Sequence, residues 1–119
     1  MKKRIMVVQK ADFMRKIISD TLQENGYEVV AETAKGLECA MRYRGLQPDL
    51  VILDTLMSDQ TSFLNILPIL KKEEPPARVL VTVTFEEQGS DALKLGADEC
   101  ILKPFKPEAL LKAVGELCP

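Results

Sequence analysis

The sequence predicts an α/β protein: a doubly wound parallel sheet of five strands, with five helices covering its two faces. Three observations predict it. Strand-like and helix-like stretches alternate five times along 119 residues with short connections, and that order builds a parallel sheet with helices on both sides. The strand-like stretches are apolar throughout rather than alternating, as in Leu50-Val51-Ile52-Leu53, which is the pattern of strands buried on both faces. No repeat, linker or low-complexity segment interrupts the alternation, so residues 1–119 read as one domain with a single core.

Each element has its own reason. Arg4 to Val8 is a first strand, and Asp12 is suited to cap the helix after it. Phe13, Met14, Ile17, Ile18, Thr21 and Leu22 give that helix an apolar stripe, and Asn25-Gly26 stops it. Tyr27 to Ala31 is a second strand. A second helix runs through Leu37, Ala40, Met41 and Arg44 to Gly45, and Pro48 leads into the third strand. Phe63 to Leu70 predicts a third helix, but Pro68 inside it removes a hydrogen bond, which predicts a kink or a late start. Pro75-Pro76 enforces a turn before a β-branched strand from Arg78 to Val83. A short helix over Asp91 to Leu95 ends at Gly96, and Glu99 to Leu102 is the fifth strand. Pro107 fits the first turn of the last helix, whose inner face carries Leu110, Leu111, Val114 and Leu117.

Composition excludes several functions. Histidine is absent, which removes histidine-based acid–base catalysis, Ser-His-Asp and Cys-His arrangements, phosphohistidine carriers and most zinc sites. A net charge of −2 gives no electrostatic reason to expect direct nucleic-acid or membrane binding. No apolar run approaches the ~20 residues of a membrane span, and the N-terminus has no secretory pattern. Cys39, Cys100 and Cys118 follow no ligand or disulfide spacing, which fits a reducing cytoplasm.

The third strand lies between two carboxylates, Asp49 and Asp54. Asp54 falls where the strand runs out, and open α/β sheets gather their chemistry at the carboxyl ends of strands. There it is a candidate nucleophile, metal ligand or cation anchor, or else a cap in the following loop. A Gly-rich phosphate loop does not follow the first strand, where Gln9-Lys10-Ala11-Asp12 stands, so a nucleotide-binding enzyme is disfavoured.

The framework Lys3-Arg4-Ile5-Met6-Val7-Val8, Phe13-Met14-Arg15, Gly26-Tyr27-Glu28-Val29, Pro48 to Asp54, Gly96-Ala97 and Lys103-Pro104-Phe105 resembles a CheY-like response regulator receiver domain over essentially the whole chain. The resemblance implies a flavodoxin-like fold and no enzymatic role of its own. It also implies a phosphoacceptor at Asp54, charged by a sensor histidine kinase or a small phosphodonor in two-component phosphorelay signalling. Lys103 matches the lysine that contacts the phosphoryl group, and the Lys103–Pro104 bond is expected to be cis. Further implied partners are a downstream output protein or domain, or a second copy meeting through the fourth helix, fifth strand and fifth helix.

Departures from the pattern qualify these expectations. The acidic pair after the first strand is replaced by Gln9 and Lys10, so Mg²⁺ binding is expected to be weak, since that ion takes hard, charged oxygen ligands. Lys10 either pairs with Asp54 in the metal's stead or extends to solvent. Asp12 and Asp59 are the nearby acids, and neither holds a metal position of the family. Ser62 stands where a glycine is usual. The switch hydroxyl is Thr82 on one alignment; on another, Val83 takes that position with Thr84 after it. The aromatic toggle three residues before Lys103 is Cys100, which packs as a small hydrophobe and has no ring to swing. Two readings follow: a phosphorylated receiver, or a phosphorylation-independent pseudo-receiver acting as an interaction module.

Overall fold

The computed structural model describes residues 1–119. Five strands, β1 (Arg4–Val8), β2 (Glu28–Thr33), β3 (Leu50–Asp54), β4 (Val79–Val83) and β5 (Glu99–Leu102), alternate with five helices, α1 (Asp12–Glu24), α2 (Gly36–Leu46), α3 (Phe63–Lys71), α4 (Glu86–Lys94) and α5 (Pro107–Leu117). All strands pair in parallel, in the order β2-β1-β3-β4-β5. The apolar runs of β3 and β4 are buried along their whole length, as central strands between two helical layers require.

Strand alternation divides the core in two. Met6, Val8, Val51, Leu53, Val79, Val81 and Val83 pack with buried residues of α2, α3 and α4. Ile5, Val7, Leu50, Ile52 and Leu80 face the opposite way, against Ile18 and Leu22 of α1 and Leu110 and Val114 of α5. The same alternation decides where polar residues at the strand ends point. Asp54 pairs in register with Thr82, and both continue the series that faces α1 and α5.

Several boundaries differ from the sequence reading. Asp12 is the first residue of α1, not its cap; Ala11 holds that position without a side-chain cap, and the Asp12 carboxylate pairs instead with Arg15 at 2.6 Å. Helix α2 passes through Gly45 and stops at Gln47, whose φ of 46° makes the left-handed turn expected of the glycine. Helix α3 starts promptly at Phe63 despite Pro68. The carbonyl that loses its partner there is that of Leu64, an exposed residue, so water can satisfy it. Ser62 explains the prompt start. Its hydroxyl accepts from the Leu64 N–H at 3.1 Å, while the Asn65 side chain accepts from the Ser62 N–H at 2.9 Å, a reciprocal cap. At φ −122° Ser62 needs no glycine.

Helix α4 begins at Glu86, earlier than the apolar pattern suggested. Gln88 folds back so that its side-chain oxygen accepts from the N–H groups of Thr84 and Phe85, at 2.8 and 3.1 Å. Glu86 and Glu87 add negative charge at the positive end of the helix dipole. Both the Lys103–Pro104 and Glu74–Pro75 peptide bonds are cis.

The loop from Ser58 to Ser62 is fastened to the start of α2. The Asp59 carboxylate accepts from the N–H groups of Gly36 and Leu37, at 3.2 and 3.0 Å, and from the Thr61 hydroxyl at 2.7 Å. Burial alone would raise its pKa. The hydrogen bonds from Leu37, Thr61 and Gly36 outweigh that and hold it at about 2. A carboxyl so depressed stabilises the fold fully above its unfolded value near 4, and the contribution fades as pH falls through about 2. Asp59→Ala is therefore expected to lower stability by about 1–2 kcal/mol at neutral pH. In acid titrations followed by circular dichroism, the gap between wild type and variant should close between those two pH values.

Gly36 is required by the same contact. A Cβ there would collide with the Thr61 hydroxyl and lie 2.7 Å from Ile66 Cγ1, inside the repulsive range. Gly36→Ala should cost about 1–3 kcal/mol through overpacking, read as a lower denaturant midpoint with an unchanged m-value.

Candidate functional site

Asp54 ends β3 at the carboxyl edge of the sheet, with its side chain buried. One carboxylate oxygen, Oδ1, accepts from Lys103 Nζ at 2.6 Å and from the Thr55 N–H at 2.8 Å. The other, Oδ2, accepts from the backbone N–H of Lys10 at 3.0 Å. Lys103 leaves the end of β5 across β4 to reach it, so the pair joins residues 49 apart in sequence. A charge-assisted bond this short in a half-dry site is among the stronger polar contacts a protein makes.

The structure separates Gln9 and Lys10. Val8 pairs with Leu53, so Gln9 lies level with Asp54, and it is fully buried. Its side-chain amide passes beneath Asp54 and donates to the Thr82 hydroxyl at 3.1 Å. Its backbone N–H donates to the Thr33 carbonyl, and its own carbonyl accepts from Arg15 Nη1 at 2.8 Å. Gln9 is thus a strut linking β1 to β4 across β3. Lys10 lies at the exposed rim. Of the two alternatives for its side chain, pairing with Asp54 or extending to solvent, the ion pair is not formed; it is the Lys10 backbone that reaches the carboxylate, while the ammonium extends toward water as long cationic side chains usually do.

The two threonines differ in access. Thr82 is fully buried and engaged with Gln9. Thr84 is exposed and lines a cavity of about 440 Å³ with Asp54, Lys10, Leu56 and Lys103. Val83 turns to the other face and packs with the α4 side of the core. Cys100 is half-buried against α4, where a Cβ on Gly89 would lie 2.9 Å from its sulfur. Burial, then the neighbouring Glu99, pushes its thiol pKa up, so it is not a reactive thiolate.

The donor set does not fit Mg²⁺. Asp54 is the single carboxylate lining the cavity, and no cluster of three potential ligands among His, Cys, Asp and Glu exists in the chain. Asp12 is turned outward to Arg15, Asp59 is spent on α2, and Gln9 faces Thr82. Mg²⁺ is ordinarily held by one or two free carboxylates with waters and phosphate oxygens, whereas the single carboxylate here is already bonded to Lys103 and the rim offers a second lysine.

Sequence reasoning named Arg15 only as part of the framework and did not single out Thr55 or Gly36. Arg15 holds the turn after β1, and Thr55 contributes only its N–H, which no side-chain pattern reveals.

A parallel sheet in this order, with an acid at the carboxyl end of its central strand clasped by a lysine that follows its edge strand, is a flavodoxin-like α/β fold with a polar site at its carboxyl edge. The chain matches the response regulator receiver domain family over residues 5–115. It is 34% identical to the chemotaxis protein CheY of Thermotoga maritima over 119 residues, 98% of each chain. It is 35% identical to that of Bacillus subtilis over 115 residues, 95% of each. Among solved structures it superposes on CheY4 of Vibrio cholerae with a TM-score of 0.86 at 25% identity, covering 98% of this chain and 99% of that one. A response regulator of Chloroflexus aurantiacus gives 0.92 at 20% identity, a likeness of fold. This chain belongs to the response regulator receiver domain family. It is a receiver of the two-component type, a class of signalling domains that interact with kinases and with output domains. No helix is long and apolar enough to cross a membrane.

Proposed function

We propose that this receiver works as a phosphorylation-independent interaction module, with Asp54 at the phosphoacceptor position held in a closed ion pair. The observation that carries this is the state of the Asp54 carboxylate: both oxygens are engaged, by Lys103, Thr55 and Lys10, and no second carboxylate stands beside it. An attacking carboxylate meets a phosphoryl group that is itself anionic, so the charge on both must be neutralised at close range. Lys103 supplies one positive charge at a fixed place. Lys10 has its charge at the rim, where it does not orient a phosphodonor as a metal would.

A working phosphoacceptor is the second reading, favoured by the survival of Asp54 and Lys103 and by the Thr84 hydroxyl at the cavity. In that case Thr84, rather than the occupied Thr82, is the hydroxyl within reach of a phosphoryl group.

In either case the domain acts in the cytoplasm on a sensor histidine kinase or an output protein, through α4, β5 and α5, alone or as a homodimer. It catalyses no reaction of its own and binds neither nucleic acid nor membrane. The deciding experiment is intact-mass measurement after incubation with a small phosphodonor and millimolar Mg²⁺. The mass is expected to stay unchanged. A stoichiometric gain of one phosphoryl group that disappears in Asp54→Asn would overturn the proposal.

A further inference from the structure

The amino edge of the sheet, opposite the one that carries Asp54, holds a second polar site. A cavity of about 460 Å³ opens there between the last turns of α2, the residues entering β3 and the chain leaving α3. That is within the size range of small-ligand pockets. Tyr43 of α2 reaches it from below. The residue is only 7% exposed, and its ring packs in the half of the core shared with α3. Its hydroxyl makes no hydrogen bond within the chain and is not sealed from solvent, so it opens into the cavity. A tyrosine buried to this extent ordinarily finds a partner for its hydroxyl, and here that partner has to come from whatever fills the cavity.

The charges around the hydroxyl decide what kind of group that is. Both carboxylate oxygens of Glu73 are taken by Arg44, at 3.2 and 3.3 Å, and that pair is neutral. Asp49 uses Oδ2 to accept from the Arg4 N–H at 2.7 Å and keeps Oδ1. Glu74 and Lys72 are exposed on the rim. Three carboxylates against two cations leave an excess of one negative charge around the cavity. The hydroxyl feels that field: burial first, then Glu73, Cys39 and Asp49, push the Tyr43 pKa up. The phenol therefore stays protonated and neutral, with lone pairs to offer a donor.

We infer that this cavity binds an alkylammonium group, whose three N–H bonds go to the Tyr43 hydroxyl oxygen, Asp49 Oδ1 and the Glu74 carboxylate. A primary ammonium has three donors and no acceptor, and the site answers it with three oxygens and a negative balance. An anion would be repelled by that balance, and a quaternary ammonium would leave the hydroxyl unbonded. A free aliphatic amine and a lysine side chain both carry the required group. The site is separate from the signalling reading above, since neither Asp54 nor Lys103 takes part.

The test titrates the whole isotope-labelled chain with butylammonium chloride at constant ionic strength, followed by NMR. Saturable shifts are expected at the Tyr43 ring and at the amides of Asp49 and Glu74. Tetramethylammonium has the charge without an N–H, and N-butylacetamide has the alkyl chain without the charge; each should bind about tenfold more weakly. Tyr43→Phe keeps the packed ring, and Glu74→Gln lies at an exposed position. Each should weaken butylammonium binding by about fivefold to tenfold and leave the denaturant midpoint in place. No saturable shift, equal binding of tetramethylammonium, or variants that bind like wild type would overturn the inference. A capped lysine peptide separates the two sources. Tighter binding than butylammonium assigns the site to a partner protein's lysine, and equal or weaker binding assigns it to a free amine. These results stand whether or not Asp54 accepts a phosphoryl group.

Discussion

Replacing Gln9 and Lys10 together by aspartate should convert the site into one that binds Mg²⁺ and accepts a phosphoryl group. The substitution changes the local charge by three units, because a neutral amide and a cation both become anions. Even at surface-like screening, each unit charge a few ångströms from a dication contributes on the order of 1 kcal/mol, so affinity should rise by about a hundredfold. The variant also loses the strut. Thr82 would keep its burial and lose its partner, at a cost of about 1–3 kcal/mol without metal. Thermal melting should therefore show a variant less stable than wild type in chelator and markedly restored by millimolar Mg²⁺, while wild type is indifferent to the ion. A variant with no response to Mg²⁺ would place the defect elsewhere, in the loop from Ser58 to Ser62 that Asp59 ties to α2.

Much of this fold was legible because its strands are buried on both faces and are written as plain apolar runs. The ends of the helices were not, since they depend on side chains that reach back from within the helix. Gln88 starts α4 a full turn and more before its apolar residues begin, and Gln47 takes a left-handed turn that Gly45 seemed made for. At the site, the identity of the residues was readable and their direction was not. The sequence placed Gln9, Lys10, Asp54 and Lys103 together, yet gave no sign that Lys10 would contribute its backbone and Gln9 would reach Thr82. The ambiguity among Thr82, Val83 and Thr84 was one of register. It needed the Asp54–Thr82 pairing to show which residues share a face.

Lys103→Met should destabilise the domain more than any change at Asp54. The asymmetry follows from burial: the Asp54 side chain is 7% exposed and that of Lys103 is 25% exposed. Removing the lysine strands a carboxylate that keeps two backbone N–H bonds but loses its countercharge. Losing one partner of a buried pair costs about 3–5 kcal/mol in full burial, and the partial exposure and the remaining bonds reduce that here to about 2–3 kcal/mol. In Asp54→Asn the orphaned ammonium can turn to water, and the amide oxygen still accepts from one of the two backbone N–H groups, so about 1–2 kcal/mol is expected. The double variant should be more stable than Lys103→Met alone, because a neutral amide no longer needs the cation. Denaturant midpoints of the four proteins give this coupling directly. A Lys103→Met protein as stable as wild type would show that the closed pair does not persist in solution, and the metal-free pocket would then have to be held shut by Gln9 and Thr82 alone.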